Sequence, residues 1–273
     1  MSLVINTNVA SLNAQRSLSA SGAELKTAME RLSSGKQINS AADDAAGFAI
    51  AERMTAQIRG LNMAAKNAND GLSMLATIEN ATNDVTDMLH RMRELAVQAV
   101  NDTNSGTDRS YLNNEVQSLI SEINRVSSDT EYNGAAVLNG DLSAAAFQVG
   151  TESGQTITFS VASVDAETLF AGVSVGVDTA ENAESALSTI TTAIETVASN
   201  RATYGALQNR LEYTVSNLLN VAEFTTAARS RIEDADFAAE SARLAKAQVL
   251  QQTGTAMLAQ ANASQQLALS LFR

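Results

Sequence analysis

Between Leu61 and Ala99, side chains of one kind recur at alternating spacings of three and four residues, and this run constrains the fold more than any other feature. Its positions are Leu61, Ala64, Ala68, Gly71, Leu75, Ile78, Thr82, Val85, Leu89, Met92, Ala96 and Ala99, ten of the twelve being apolar. Only an α-helix gathers such positions into one stripe, and a repeat kept this long is a coiled-coil seam. At 1.5 Å per residue the helix is about 58 Å long. A stripe of that length cannot be left in water, so the chain must supply partners.

The partners are legible further along. Leu112, Val116, Leu119, Ile123 and Val126 form a second seam after the turn-forming stretch Asn101-Asp-Thr-Asn-Ser-Gly-Thr-Asp. A third runs through Leu187, Ile190, Ile194, Val197, Arg201, Tyr204, Gln208, Leu211, Val215, Leu218 and Ala222, with Arg201 and Gln208 as polar interruptions. The chain contains no Pro, the commonest helix breaker, and only 4% aromatic residues. The spacing therefore predicts a mainly α fold: helices over about 44–100, 108–128 and 180–225, packed antiparallel as a long coiled-coil bundle or rod.

Residues 134–178 differ in character, with six of the fourteen glycines and no Lys or Arg. Thr156-Ile-Thr-Phe-Ser-Val and Val173-Ser-Val-Gly-Val alternate polar with apolar, which is strand periodicity. A small β-hairpin region is expected there.

The two ends predict a further pair of helices. Leu18, Leu25, Met29 and Leu32 share a face before Gly35 offers a left-handed cap. Ala247, Leu250, Gly254, Met257, Ala261, Ser264, Ala268 and Leu271 keep the three-four spacing at the carboxyl end. Each end helix has one stripe poor in bulky residues, a marginal pair alone and a good one inside an assembly. Past Arg243 only Lys246 and Arg273 are charged, as on a surface that expects to be covered. The domain organisation expected is 1–43 with 235–273 as a terminal helical domain and 44–234 as the rod.

Charge and residue types exclude several function classes. Residues 1–60 hold six Lys/Arg against five Asp/Glu, residues 225–273 five against four, and the segment between seven against twenty-one, so the middle carries −14. An acidic middle with no basic stripe repels phosphate backbones, and nucleic acid is not an expected partner. No run of about 18 apolar residues exists to span a bilayer and the start lacks the pattern of a cleaved secretory signal, so no membrane partner is expected.

With no Cys and one His, His90, a thiolate site, a His-Glu-x-x-His metal motif and a Cys nucleophile are all unavailable. Ser34-Gly-Lys lacks the flanking Gly and Ser/Thr of a phosphate loop, since Glu30 and Gln37 stand there. Asp43-Asp44 and the Asp234/Asp236 pair read as helix caps rather than catalytic carboxylates. No enzyme, metal or cofactor is expected.

The residues themselves resemble the flagellin family. The resemblance is carried by Ile5-Asn-Thr-Asn, by Ser34-Gly-Lys-Gln-Ile-Asn-Ser-Ala-Ala-Asp-Asp-Ala-Ala-Gly-Phe-Ala-Ile-Ala, by Arg93-Glu-Leu-Ala-Val-Gln-Ala and by Thr130-Glu-Tyr-Asn-Gly. It continues in Gly205-Ala-Leu-Gln-Asn-Arg-Leu, Arg231-Ile-Glu-Asp-Ala-Asp-Phe and Gln251-Gln-Thr-Gly-Thr-Ala-Met-Leu-Ala-Gln-Ala-Asn. These blocks fall in family order over about residues 1–140 and 180–273, a short form without large outer domains.

The resemblance implies a secreted, extracellular subunit of the bacterial flagellar filament used for motility, exported unfolded through the flagellar channel. It also implies a homopolymer whose terminal helices line an inner tube, with an export chaperone, cap and hook-junction proteins as partners. Subunit-contact candidates are Leu18, Leu25, Leu32, Leu250, Met257, Leu267 and Leu271. Some flagellins are read by a vertebrate Toll-like receptor, and the matching positions here are Arg91, Leu95 and Glu115. The rival readings are a hook-filament junction protein and an exported effector or enzyme. The first should not carry the full run of blocks, and the second lacks any catalytic constellation.

Overall fold

In the computed structural model of the chain, residues 7–270 are described, with side chains through residue 264. The elements in order are α1 (Val9–Ser34), α2 (Ala45–Val100), α3 (Gly106–Asp129), β1 (Glu131–Tyr132), β2 (Ala135–Ala136), β3 (Ala145–Gln148), β4 (Thr156–Phe159), α4 (Ala166–Leu169), α5 (Ala180–Glu233) and α6 (Phe237–Ser270). The fold is mainly α with a small antiparallel β region. The chain forms two compact units, a terminal unit of Met1–Ile58 with Glu223–Arg273 and a central unit of Arg59–Ala222. Their limits fall inside the continuous helices α2 and α5, whereas the sequence blocks place their divisions at the loops near residues 43 and 235.

In the central unit, all twelve seam positions of α2 are buried, including Gly71 and Thr82. Thr82 keeps its hydroxyl satisfied by donating to the Ile78 carbonyl of its own helix at 2.8 Å. Val116 and Ile123 of α3 and Ile190, Val197, Tyr204 and Leu211 of α5 join Leu75, Ile78, Leu89 and Met92 in one core. The helices run antiparallel: Arg91 pairs with Glu115 and Arg109 reaches the Ala99 carbonyl across α2 and α3, and Glu79 pairs with Arg201 across α2 and α5. Arg201, the polar interruption of the third seam, thus meets a carboxylate while Ala183, Ala186, Ala193 and Leu207 take core places beside that seam.

The capping chemistry is local. Ser105 and Asp108 exchange hydrogen bonds as a capping box at the start of α3, with the Asp108 carboxylate 2.6 Å from the Ser105 hydroxyl. Arg109 then donates to the Ala99 and Asn101 carbonyls, closing the end of α2.

Strands β3 and β4 pair antiparallel with Phe147 opposite Ile157 and Ala145 opposite Phe159, and the Phe147 and Phe159 rings stack with centroids 4.7 Å apart. The hairpin seats Phe147 on α2 at Gly71, where a Cβ would lie 2.9 Å from the ring, so this helical glycine serves close approach. The alternation at Val173–Val177 is not a strand. Val175 and Val177 are buried while the backbone bonds to α3 side chains, the Val175 carbonyl accepting from Gln117 Nε2 and the Val177 amide donating to Asn113 Oδ1. Side-chain amides stand there in place of a ladder partner.

Candidate subunit interface

The terminal unit is built on α1 and α6, which lie antiparallel with closely approaching backbones. Asn8 caps α1 by accepting from the Ser11 amide at 3.0 Å and uses its own amide to donate to the Ala261 carbonyl of α6, also at 3.0 Å. Gly35 closes α1 at φ 71° with its amide on the Arg31 carbonyl. Asp236 Oδ1 accepts from the Ala238 and Ala239 amides and starts α6.

The linkers on either side are tied together, Gln37 N donating to the Glu233 carbonyl at 2.7 Å and Ala235 N to the Gly35 carbonyl at 2.9 Å. Asp44 Oδ1 accepts from the Ala46 and Gly47 amides and caps α2. Asp43 accepts from the Ser40 and Asn39 amides, which hold its carboxyl below the usual aspartate value. These paired carboxylates are spent on backbone, and His90 is exposed on α2.

Small side chains set the α1–α6 spacing. The deepest residues of the pair are Ser21, Ala28, Glu240 and Ala247, none of them a large apolar side chain. Gly254 receives Leu18, whose Cδ1 would lie 3.2 Å from a Cβ there. Glu240 is the one buried charge among the described residues, its side chain 5% exposed, and it is met by Arg31 at 3.3 Å and Arg243 at 2.7 Å.

Of the predicted contact residues, Leu18, Leu25 and Leu32 are half-buried on the face of α1 that carries Ser21 and Ala28. Leu250 and Met257 remain 42% and 64% exposed. They form one bank of a largely apolar groove of about 540 Å³, with Ala14, Ser17 and Ala20 of α1 on the other. The side chain of Leu267 and the whole of Leu271 lie outside the described residues. Val9, Leu12, Met29, Phe237 and Val249 are also more than half exposed.

Sequence reasoning had named neither Leu244 nor Leu258, which with Ala247, Gly254 and Ala261 form the less exposed face of α6. It also missed the Glu240 charge cluster and the Asn8 clamp. For Asn8 a signal was available, a capping residue directly before an apolar-periodic run.

Of the three receptor-motif positions, Arg91 and Glu115 lie side by side on the exposed surface of α2 and α3, with Arg91 Nε 2.9 Å from Glu115 Oε1. Leu95 is 1% exposed and belongs to the core.

Comparison with known families agrees with this layout. Residues 5–143 match the model for the bacterial flagellin N-terminal helical region, and residues 187–272 match that for the bacterial flagellin C-terminal helical region. The chain belongs to the flagellin family.

Flagellins are structural proteins that build the extracellular bacterial flagellar filament as a homopolymer, and this flagellin is not an enzyme. It is 42% identical over 272 residues to a flagellin of Halalkalibacterium halodurans, covering 99% of this chain and 100% of that one. Flagellin FlaB1 of Treponema pallidum is 39% identical over 288 residues, with 99% and 100% covered. The alignment to flagellin A of Vibrio cholerae, 34% identical, extends over 379 residues with both chains fully covered, as expected of a short form lacking outer insertions.

Among solved structures, Bacillus cereus flagellin superposes with a TM-score of 0.50 at 29% identity over 56% of this chain and 88% of its own. A chain assigned as a flagellar hook-associated protein of Vibrio parahaemolyticus shares the fold, with a TM-score of 0.61 at 14% identity over 70% of this chain and 100% of its own. Residues 144–186, which hold β3, β4 and α4, lie outside both family models.

Proposed function

We propose that this flagellin polymerises through α1 and α6, with residues 1–43 and 235–273 as the inner contact domain of the filament and residues 44–234 as the surrounding body. The observation that carries the reading is the contrast in covering. The core of the central unit is made of large apolar side chains such as Leu75, Ile78, Leu89 and Met92, whereas the deepest positions of α1 and α6 are Ser21, Ala28, Glu240 and Ala247, and Leu250 and Met257 face solvent. Leu250 and Met257 line a largely apolar groove open to solvent, and an exposed apolar groove marks an interaction site. Each such side chain covered by a neighbouring subunit contributes about 1.5–3 kcal/mol before ordering costs. Leu18, Leu25 and Leu32 then act from within the pair by fixing α6, while Leu250 and Met257, with Leu267 and Leu271 further along the sequence, meet the neighbour.

Export in an unfolded state through the flagellar channel, with a chaperone, cap and hook-junction proteins as partners, is the remainder of this proposal. The test is seeded growth followed by sedimentation and negative-stain microscopy of the whole chain beside a version lacking residues 250–273. Filaments from the whole chain alone support the reading. A whole chain that stays monomeric on seeds removes it.

A second reading is supported by the exposed Arg91–Glu115 pair, recognition by a vertebrate Toll-like receptor. Leu95, being buried, acts there only by supporting the helix surface. In a reporter-cell assay Arg91→Ala should abolish signalling, and an inert wild-type monomer would end the reading.

A further inference from the structure

All of the net charge of this protein sits in one of its two units. The terminal unit holds ten Lys/Arg and ten Asp/Glu, and the central unit eight against twenty, so the first is neutral and the second carries −12. Within the neutral unit the charges are not evenly spread. Between α1 and α6, beside the linkers, lies a cleft of about 460 Å³ whose charged lining is Glu24, Arg31, Glu240, Arg243 and Lys246, three cations against two carboxylates.

Glu240 is buried and takes both Arg31 and Arg243. One buried carboxylate held by two guanidinium groups leaves a positive charge over, and Arg243 remains 63% exposed. Arg31 Nε is itself buried without a hydrogen-bond partner among the described residues. Lys246 makes no ion pair among them. The cleft thus has donors in excess of acceptors.

We propose that this cleft is a socket for an acidic side chain on the central unit of a second copy of the chain, so that polymer contacts combine the apolar α1–α6 surface with an electrostatic one that sets orientation. The inference rests on the filament reading above. Charge complementarity selects the occupant, since a neighbouring central unit is the one surface the homopolymer must present that is strongly acidic. Bringing acidic units together is otherwise repulsive, and fixed cations at their contact offset part of that repulsion.

The experiment measures the critical concentration for seeded growth at low and at high salt, for the wild-type chain, Arg243→Gln, Lys246→Gln and Lys26→Gln. Lys26→Gln removes an equal charge from an exposed position of α1 that does not line the cleft. The cleft variants should each raise the critical concentration about two- to five-fold over that control at low salt, the scale of one exposed ion pair. The difference should vanish at high salt, where the Debye length falls to about 3 Å at 1 M. The Lys246→Gln monomer should melt like the wild type, whereas Arg243→Gln, which also removes a partner of the buried Glu240, should melt lower.

Cleft variants that grow like Lys26→Gln, or whose salt dependence is unchanged, overturn the socket while leaving filament assembly standing. For Lys246→Gln, a shift in monomer melting equal to the assembly effect also overturns it, because that cation would then serve the chain's own fold. A wild-type chain that does not grow on seeds refutes the filament reading itself.

Discussion

Leu89 and His90 are neighbours on α2 with opposite environments, the first fully buried in the seam and the second exposed. A charge at position 89 has no partner in the surrounding apolar core and no route to water. Leu89→Asp is therefore expected to lower stability by about 3–5 kcal/mol, while His90→Ala should stay within about 0.5 kcal/mol, both read from thermal or denaturant unfolding of the monomer. Thr82 is an intermediate case. Its hydroxyl satisfies only carbonyls of its own helix, at Ile78 and Glu79, so replacement by the isosteric Val removes donor and need together. An equal melting temperature for Thr82→Val would show that the polar seam position contributes shape rather than a bond.

At the scale of elements, helix ends here are fixed by short side chains whose protonation can be followed. The Ser105 hydroxyl, and then its amide, hold the Asp108 carboxyl below the usual aspartate value. A carboxyl whose folded value is depressed contributes its stabilisation above the unfolded value, about 3.9, and loses it as pH falls through the folded one. The first turn of α3 should thus fray below about pH 4. Asp108→Asn should flatten that part of an acid titration followed by amide exchange in residues 106–110, and an unaltered titration would remove Asp108 as the cause.

For the whole molecule, the terminal unit separates folding from assembly. Leu250 is 42% exposed in the single chain, so a charge there finds water in the monomer and loses it only when a neighbour covers the site. Leu250→Asp should leave monomer melting unchanged and raise the critical concentration for seeded growth by roughly 10- to 150-fold, the equivalent of 1.5–3 kcal/mol. If instead the melting temperature fell, the face of α6 bearing Leu250 would belong to the folded monomer.

The sequence by itself determined the central helices, the capped turns between them and the seam of α2, whose twelve positions are all buried. That was possible because bulky apolar residues on one stripe with polar residues elsewhere admit one phase. It also determined the strand at Thr156–Phe159, where side chains alternate between core and solvent. Tertiary structure decided what the pattern left degenerate. On α6 small residues occur on every side, so the three-four spacing can be phased through Leu250 and Met257 or through Leu244 and Leu258. Packing against Leu18 at Gly254 selects the second and leaves the first in solvent. Likewise Val173–Val177 alternates like a strand, yet Asn113 and Gln117 of α3, about sixty residues earlier, satisfy its backbone. The Glu240 cluster, too, needed three charges from two chain ends to meet, and spacing along one sequence does not encode how close distant segments approach.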